Sequence, residues 1–270
     1  RKIRNTARFI LGNISDFDPD NDSVSDADLT DLDRWALAEL DELVAIARDG
    51  YDRFDFHKVY HNLHKFCVVS MSNFYLDILK DRLYINKQNS KLRRAAQTTM
   101  FRILVGLTEI LAPILAYTSQ EIWSYIPRFA GKEEYVVLHD IPQPGKYTLA
   151  DNERDKWNRI IAVNADVKKV LETARAEKQI GSSLEAKVVL YAEGDLHGFL
   201  KDVQGELPDI FIVSQVLLEQ GTGGTAGEVE GLAVEVQGAD GEKCERCWIY
   251  SETVGGTNDH PTLCDRCSTT

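Results

Sequence analysis

Two cysteine pairs near the end of this 270-residue chain constrain its fold more than any other feature. Cys244 and Cys247 form the first pair, Cys264 and Cys267 form the second, and sixteen residues separate the pairs. Each pair can occupy a tight turn, and this spacing lets two turns direct four thiolates at one tetrahedral Zn²⁺. Four thiolates leave no open coordination position, which is typical of a structural site. The sequence therefore predicts one structural zinc in a four-cysteine zinc ribbon.

Two disulfide bonds are the alternative use of these cysteines, and disulfides are found in secreted proteins. The chain contains no apolar signal segment and no apolar run of membrane-spanning length, and the fifth cysteine, Cys67, is alone in an apolar segment. We therefore expect zinc-bound thiolates in a cytoplasmic protein. His260, four residues before Cys264, could replace one thiolate, although a position beside the site is its simpler role.

Apolar residues recur at helical spacing through most of the first half of the chain. Of the whole chain 43% is hydrophobic, which is enough for a sizeable core. Thr30 and Asp33 have the spacing of a capping box before a second helix, which Gly50 is expected to end. The segment 56–83 predicts a central helix, because hydrophobic residues cover most of its circumference.

Two further helices complete the predicted bundle. Ser90 can cap the first of them, and Pro113 is expected to end it and to begin a last helix that extends through Ile126. Four or five helices with short connections form an antiparallel bundle. The first helical pattern begins at Arg1, with no initiator Met and no capping residue before it, so we expect this chain to be a piece of a longer protein.

The pattern changes to short strands in the second half of the chain. A proline-containing loop and a charged amphipathic helix come first, and three strands with one small helix follow. The strands are predicted at 186–192, 209–218 and 228–236, and the small helix at 196–203. The fold class is therefore mainly α, a helix bundle followed by a small α+β module that ends in the zinc ribbon. The predicted domains are the bundle at 1–130, a loop and helical arm at 131–180, the α+β module at 181–238 and the zinc ribbon at 239–270.

The charged residues are unevenly distributed along the chain. The formal net charge of −12 argues against indiscriminate binding to nucleic acid. However, residues 82–102 contain six cations and no acid, and the first eight residues contain four cations and no acid. These basic faces could contact phosphate groups, and a solvated surface is the alternative. Their members are Arg82, Lys87, Lys91, Arg93, Arg94 and Arg102, and Arg1, Lys2, Arg4 and Arg8.

No catalytic motif is recognisable in the chain. It contains no Walker phosphate-binding loop, no Gly-x-Ser-x-Gly nucleophile elbow and no convincing catalytic dyad. We therefore expect no catalytic residues and no covalent chemistry from this chain by itself.

Five stretches in chain order carry a resemblance to a known family. They are KIRNTARFIL at 2–11, SNFYLDILKDRLY at 72–84, LAPILAYTSQEIW at 111–123, IGSSLEAKV at 180–188, and KCERCW at 243–248 with the second cysteine pair after it. Together they resemble the C-terminal region of bacterial isoleucyl-tRNA synthetases, which are class I aminoacyl-tRNA synthetases. The resemblance implies that the bundle is a helical anticodon-binding domain and that a junction module and a zinc domain follow it.

The resemblance also implies what the whole enzyme does. Isoleucine–tRNA ligases activate isoleucine with ATP, aided by Mg²⁺, and transfer it to tRNA(Ile). The two ATP-site signatures of the family, His-Ile-Gly-His and Lys-Met-Ser-Lys-Ser, do not occur in this chain, and neither does an editing domain. This chain alone is therefore expected to be inactive. Its implied partners are tRNA(Ile) and the catalytic and editing domains of the same polypeptide, in a monomeric enzyme.

The residues expected to contact tRNA have side chains that suit single-stranded RNA. Cations bind phosphates, while aromatic rings and guanidinium groups stack on unpaired bases. On the bundle, phosphate contacts are expected from Arg82, Lys87, Lys91, Arg93 and Arg94. On the zinc ribbon, stacking and charge are expected from Arg246, Trp248, Tyr250 and Arg266. Packing over the thiolates is the alternative for Trp248, and contact with the catalytic domain is the alternative to RNA for Arg4 and Arg8.

Two other functions are open from the sequence. Valyl- and leucyl-tRNA synthetases have related helical domains, although the terminal four-cysteine ribbon and the stretch at 73–77 favour the isoleucyl type. A non-enzymatic zinc-ribbon scaffold, which binds other proteins through its acidic face, belongs to a different class. Titration with tRNA separates this scaffold from a tRNA-binding domain.

Overall fold

The computed structural model describes residues Arg1–Thr270 and divides into two units, Arg1–Asp151 and Asn152–Thr270. The first unit consists of helices and their connections. Its helices are α1 Lys2–Asn13, α2 Asp31–Asp52, α3 Phe56–Lys65, α4 Leu76–Tyr84, α5 Lys91–Leu111 and α6 Ala116–Tyr125. The predicted fold class is confirmed, because a helix bundle precedes a small α+β module with a four-cysteine cluster at its end.

Helix α2 begins at the predicted capping box and extends past its predicted end. The Thr30 hydroxyl accepts a hydrogen bond from the Asp33 N–H at 3.3 Å, and Asp33 Oδ2 accepts one from the Thr30 N–H at 3.1 Å. Gly50 lies inside the helix, where a Cβ atom would come within 2.5 Å of Val59 Cγ2. The prediction of Gly50 as a stop signal was wrong, because this glycine permits the close approach of α2 and α3.

The predicted central helix at 56–83 contains a π-helical segment, Phe66–Tyr75, between α3 and α4. Cys67, Met71 and Tyr75 in this segment are fully buried, which agrees with a central position in the bundle. The Thr6 hydroxyl of α1 donates a hydrogen bond to the Cys67 carbonyl at 3.2 Å and ties the segment to α1. Burial raises the pKa of the Cys67 thiol to about 12, so this cysteine is a core residue rather than a reactive one.

Helix α5 begins where the sequence predicts, and α6 begins later. The Ser90 hydroxyl accepts a hydrogen bond from the Arg93 N–H at 3.3 Å and caps α5. After Pro113, the Ile114 and Leu115 N–H groups bond back to the Leu111 carbonyl at 3.1 and 2.8 Å. The prediction that a helix begins at Pro113 was wrong, because these bonds close a turn on α5 and α6 starts only at residue 116.

The loop at 131–150 belongs to the first unit, whereas the sequence placed it in a separate arm. Trp123 Nε1 donates a hydrogen bond to the Glu133 carbonyl at 2.9 Å, and Arg48 Nη1 donates one to the Ile141 carbonyl at 2.8 Å. The Asp41 carboxylate accepts hydrogen bonds from the N–H groups of residues 145, 146 and 147 at 2.7, 3.0 and 3.2 Å. Side chains of α2 and α6 therefore hold this loop against the bundle.

The second unit combines a long helix with a four-stranded sheet. Its elements are α7 Asp151–Ala176, β1 Ala186–Ala192, α8 Gly194–Val203, α9 Leu207–Phe211, β2 Gln215–Glu219, β3 Thr225–Ala226, β4 Leu232–Gly238, β5 Glu242–Lys243, β6 Tyr250–Ser251 and α10 Asp265–Ser268. The strand order is β2-β1-β4-β3, with β1 and β2 parallel and the other pairs antiparallel. Strands β5 and β6 pair separately beside the cysteines.

The strand at 186–192 is confirmed, and the other two strand predictions were wrong at their starts. Residues 207–211 are helical because Pro208 stands in the first turn of α9, so β2 begins only at residue 215. Strand β4 begins only at residue 232. The N–H groups of Glu228 and Val229 donate hydrogen bonds to the Asp166 carboxylate, each at 2.9 Å, and so do not pair with a neighbouring strand. No helix of the chain combines the length and apolar character that a membrane-spanning segment needs.

Candidate metal centre and nucleic-acid interface

The four terminal cysteines come together in one buried cluster. The Sγ atoms of Cys244, Cys247, Cys264 and Cys267 all lie within 4.8 Å of one another, and all four residues are buried. Cys247 Sγ and Cys264 Sγ are 3.8 Å apart, which is close to the edge of a tetrahedron of sulfurs around one Zn²⁺ and far longer than a disulfide bond. The donor set and its spacing therefore fit one closed tetrahedral metal site.

Short backbone turns position these thiols. The Trp248 N–H donates a hydrogen bond to the Cys244 carbonyl at 2.8 Å, and the Cys244 N–H donates one to the Ile249 carbonyl at 2.9 Å. The Cys264 N–H points at Cys244 Sγ at 3.4 Å, so the second turn contributes directly to the first. Because backbone N–H groups are directed at sulfur, negative charge on the cluster is stabilised.

The local environment shifts the cysteine pKa values in opposite directions. Burial raises the pKa of Cys244, but the N–H groups of Cys247, Cys264 and Arg246 outweigh it and bring this pKa down to about 6. Burial and the neighbouring cysteine sulfurs raise the pKa of Cys267. Thiolates crowded in this way repel each other, and a divalent cation in their centre removes that repulsion.

The outer face of the ribbon presents an exposed indole. Trp248 is 61% exposed, with a left-handed φ of 66°, and Lys243 Nζ lies 5.3 Å from the centre of its ring. Arg246 Nη1 donates a hydrogen bond to the Cys267 carbonyl at 3.2 Å, Arg266 is exposed, and Tyr250 is half-buried. Packing over the thiolates therefore does not account for Trp248, because most of its ring surface faces solvent.

Three of the five cations predicted to bind phosphate on the bundle are held in internal ion pairs. Arg93 binds both carboxylate oxygens of Asp16, at 2.8 and 3.0 Å, and this hydrogen bonding lowers the pKa of Asp16 to about 2. Arg94 is buried and lies 3.3 Å from an oxygen of Asp22. Arg82 lies 3.2 Å from Asp33 Oδ2. Phosphate contacts from these three stay a prediction, and a phosphate would have to compete with the aspartates that already neutralise them.

The other two cations of that group are available at the surface. Lys87 and Lys91 are exposed and form no ion pair. Lys87 lies in the turn between α4 and α5, and Lys91 is the first residue of α5. The exposed side chains of Tyr84 and Leu92 lie close to them in sequence. The sequence could not separate these two lysines from their arginine neighbours, because the aspartates that pair with the arginines lie in a distant segment of the chain.

A groove runs between α1 and α6, with a volume of about 810 Å³. Arg4 and Arg8 line it on α1, and Arg4 forms an ion pair with Glu121 of α6. Arg8 is exposed and forms no ion pair. Tyr125 also lines the groove and is 72% exposed, and the sequence did not single it out.

Two family models match the chain. The model described as the anticodon-binding domain of tRNA ligase matches residues 33–190, and the model described as a zinc finger found in FPG and IleRS matches residues 241–269. The second match contains all four clustered cysteines.

Similar proteins cover the whole of this chain. The isoleucine–tRNA ligase of Moorella thermoacetica is 48% identical over 275 residues, which span 100% of this chain and 30% of that protein. The ligase of Geobacter sulfurreducens is 46% identical, over 99% of this chain and 29% of its own length. The ligase of Bacillus cytotoxicus is 44% identical, over 100% of this chain and 29% of its own length. The chain therefore spans about three tenths of the length of these relatives.

Proposed function

Because this chain belongs to the anticodon-binding domain family of tRNA ligases, we propose that it is the tRNA-binding, zinc-containing C-terminal part of an isoleucine–tRNA ligase. The observation that carries the proposal is the conjunction of this family with a four-cysteine cluster and with isoleucine–tRNA ligases as relatives over the full chain. The whole enzyme would be cytoplasmic and monomeric, would use ATP and Mg²⁺, and would charge tRNA(Ile). Its catalytic and editing domains lie outside this chain.

We propose that Cys244, Cys247, Cys264 and Cys267 hold one structural zinc. The closed set of four sulfurs and the matching zinc-finger family support this assignment. Such a metal supplies folding energy to the terminal segment and leaves no position for a reacting water.

We propose that tRNA lies against exposed cations and rings on both units. Lys87, Lys91 and Arg8 are exposed and unpaired, so they can bind phosphates without breaking an internal ion pair. Arg4 can join them at the α1–α6 groove, where contact with the catalytic domain is the competing role. On the zinc ribbon, Trp248 offers a face for base stacking, with Arg246, Tyr250 and Arg266 around it.

Substitutions should separate the phosphate contacts from the stacking contact. Lys87→Ala and Lys91→Ala are each expected to weaken the binding of all tRNAs by the same factor, because each removes one phosphate contact. Each should also reduce the slope of log affinity against log salt by about 0.7. Trp248→Ala is expected to cost about 1–3 kcal/mol of binding with little change in slope. Fluorescence or filter-binding titrations at several salt concentrations measure both quantities.

Lys201 supplies a matched control for these titrations. It is an exposed lysine on α8 that forms no ion pair, and Lys201→Ala should leave both the affinity and the slope unchanged. Wild-type affinity in both Lys87→Ala and Lys91→Ala would remove the α4–α5 turn from the proposed interface.

The absence of an ATP site gives a second expectation. Incubated with isoleucine, ATP, Mg²⁺ and labelled pyrophosphate, the purified chain should show no isoleucine-dependent pyrophosphate exchange, because the two class I signatures are not in it. Exchange that co-purifies with the chain at constant specific activity would contradict the assignment to the non-catalytic part of the enzyme.

A further inference from the structure

A cavity of about 310 Å³ lies on the bundle between α2, α5 and the loop at 131–150. Phe101, Phe129 and Tyr147 bring three aromatic rings to its lining, and Arg102 and Lys146 bring two cations. Its volume is at the lower end of the range for small-molecule pockets, so it can take one ring system and not a larger ligand. We name it the α2–α5 cavity.

One carboxyl group in this cavity faces a histidine side chain. The side chain of Glu109 is only 10% exposed, and the imidazole of His139 is the partner of its carboxylate. His139 Nδ1 lies 3.3 Å from Oε1 and is a charged partner only when the imidazole is protonated. Its Nε2 accepts a hydrogen bond from the Glu133 N–H at 3.1 Å, so Nδ1 is the nitrogen that can donate toward Glu109.

Burial and a neighbouring lysine act in opposite directions on the pKa of Glu109. Burial raises the pKa of Glu109 to about 7, and the positive charge of Lys146 opposes this shift only in part. The second acid of the lining, Asp41, is already satisfied by three loop N–H groups. Of the two lining carboxylates, Glu109 is therefore the one with acceptor capacity left for a ligand, because His139 alone faces its oxygens.

We propose that the α2–α5 cavity binds a single unstacked nucleobase of the RNA, and that Glu109 accepts hydrogen bonds from the N–H groups on the base's Watson–Crick edge. The proposal rests on the proposed tRNA-binding function and adds to it a specific base site. Aromatic rings beside cations are the surroundings that favour a splayed base and its phosphate. Phe101 and Phe129, with ring centres 5.4 Å apart, and Tyr147 with Arg102 5.9 Å from its centre, supply these groups.

Guanine is the base whose edge fits a carboxylate. Its N1–H and N2–H donors lie side by side and match the two acceptor oxygens of Glu109. Uracil offers one N–H between two carbonyl oxygens, which the carboxylate repels. The site should therefore prefer guanine to uracil.

The test is an NMR titration of the ¹⁵N-labelled 270-residue chain with guanosine 5′-monophosphate and, in parallel, uridine 5′-monophosphate. Guanosine monophosphate is expected to shift the amide signals of Gly145, Lys146 and Tyr147. It should bind roughly tenfold more tightly than uridine monophosphate, because it donates more hydrogen bonds to the charged carboxylate. Glu109→Gln, which keeps the shape and replaces an acceptor by a donor, should abolish this preference. Glu134→Gln removes the same charge from an exposed position and should leave the preference intact.

The pH dependence adds a readout that packing alone would not produce. As Glu109 ionises with rising pH through its pKa of about 7, the ratio of guanosine to uridine monophosphate affinity should rise, and the ratio cancels the shared ionisation of the phosphate. In Glu109→Gln the ratio should not change with pH. This variant keeps the other charged or titratable groups around the site. They are Asp41 and Arg48 on α2, Arg102 on α5 with its partner Asp26, and His139, Lys146 and Tyr147 in the loop.

The results of these titrations distinguish failure of the proposed base site from failure of the proposed tRNA-binding function. Equal affinities for the two nucleotides, or an unchanged preference in Glu109→Gln, would overturn the base site even if the chain binds tRNA. Guanine preference at the cavity without any tRNA binding would keep the base site and overturn the proposed function. Circular dichroism of Glu109→Gln checks its fold, which is expected to be intact because glutamine keeps the size and shape of the glutamate side chain.

Discussion

Removal of zinc is expected to unfold residues 239–270 while the helices of the first unit stay folded. The only buried residues in this terminal segment are Cys244, Cys247, Cys264 and Cys267, so no apolar core can hold it together. Zinc binding in small structural sites contributes on the order of 10 kcal/mol or more to folding. Chelation followed by limited proteolysis, with circular dichroism of the helices in parallel, measures this loss.

Cysteine substitutions provide the matched comparison. Cys267→Ser is expected to lose stoichiometric zinc, as measured by elemental analysis, and to expose the segment to protease. Cys67→Ala should retain one zinc per chain, because Cys67 is buried in the helical unit and far from the cluster in sequence. A terminal segment that resists protease equally with and without chelator would contradict a structural metal.

Asp33→Ala is expected to destabilise the first unit by roughly 3–5 kcal/mol, because it leaves the charge of Arg82 without its buried partner. The Asp33 side chain is 0% exposed, accepts a hydrogen bond from the Tyr75 hydroxyl at 2.7 Å and lies 3.2 Å from Arg82. The same carboxylate completes the capping box of α2 with Thr30. Urea unfolding followed by helical circular dichroism gives the change in the free energy of unfolding.

Asp31 is the control for this substitution, since it stands in the same helical turn with a half-exposed side chain. Asp31→Ala should cost less than about 1 kcal/mol, as exposed ion pairs do. Combining Asp33→Ala with Arg82→Ala should cost less than the sum of the single changes, because the double variant leaves no unpaired charge. Additive effects would mean that the two side chains do not act as a pair.

The predictability of each feature depended on how far apart its parts lie in the sequence. Three features could be predicted because each is defined by residues a few positions apart, or by two such pairs. They are the four-cysteine cluster, the Thr30–Asp33 capping box and the Ser90 cap. The partners of Arg93 and Arg94 could not be recognised in this way, because Asp16 and Asp22 lie in a distant segment of the chain. A run of cations therefore resembled a phosphate-binding face although internal ion pairs neutralise several of its members.

The boundaries of the elements show the same limit. Gly50 had the local signature of a helix end, yet its role is set by Val59 in the next helix. The loop at 131–150 had the composition of a linker, but Asp41 and Arg48, far earlier in the chain, hold it on the bundle. Glu109 gave no signal at all, since an isolated glutamate in a helix is ordinarily solvated and only the cavity identifies it.

The most direct measurement of tRNA recognition is a titration of this chain with tRNA(Ile) and with the same tRNA carrying an altered anticodon. We expect binding that falls with salt, with a slope of log affinity against log salt of about −1.4 to −2.8 for roughly two to four phosphates. The altered anticodon should bind at least about tenfold more weakly, since each lost base contact removes about 1–3 kcal/mol. Equal affinity for the two tRNAs, or a slope near zero, would contradict an anticodon-binding function and favour a zinc-ribbon scaffold that binds proteins.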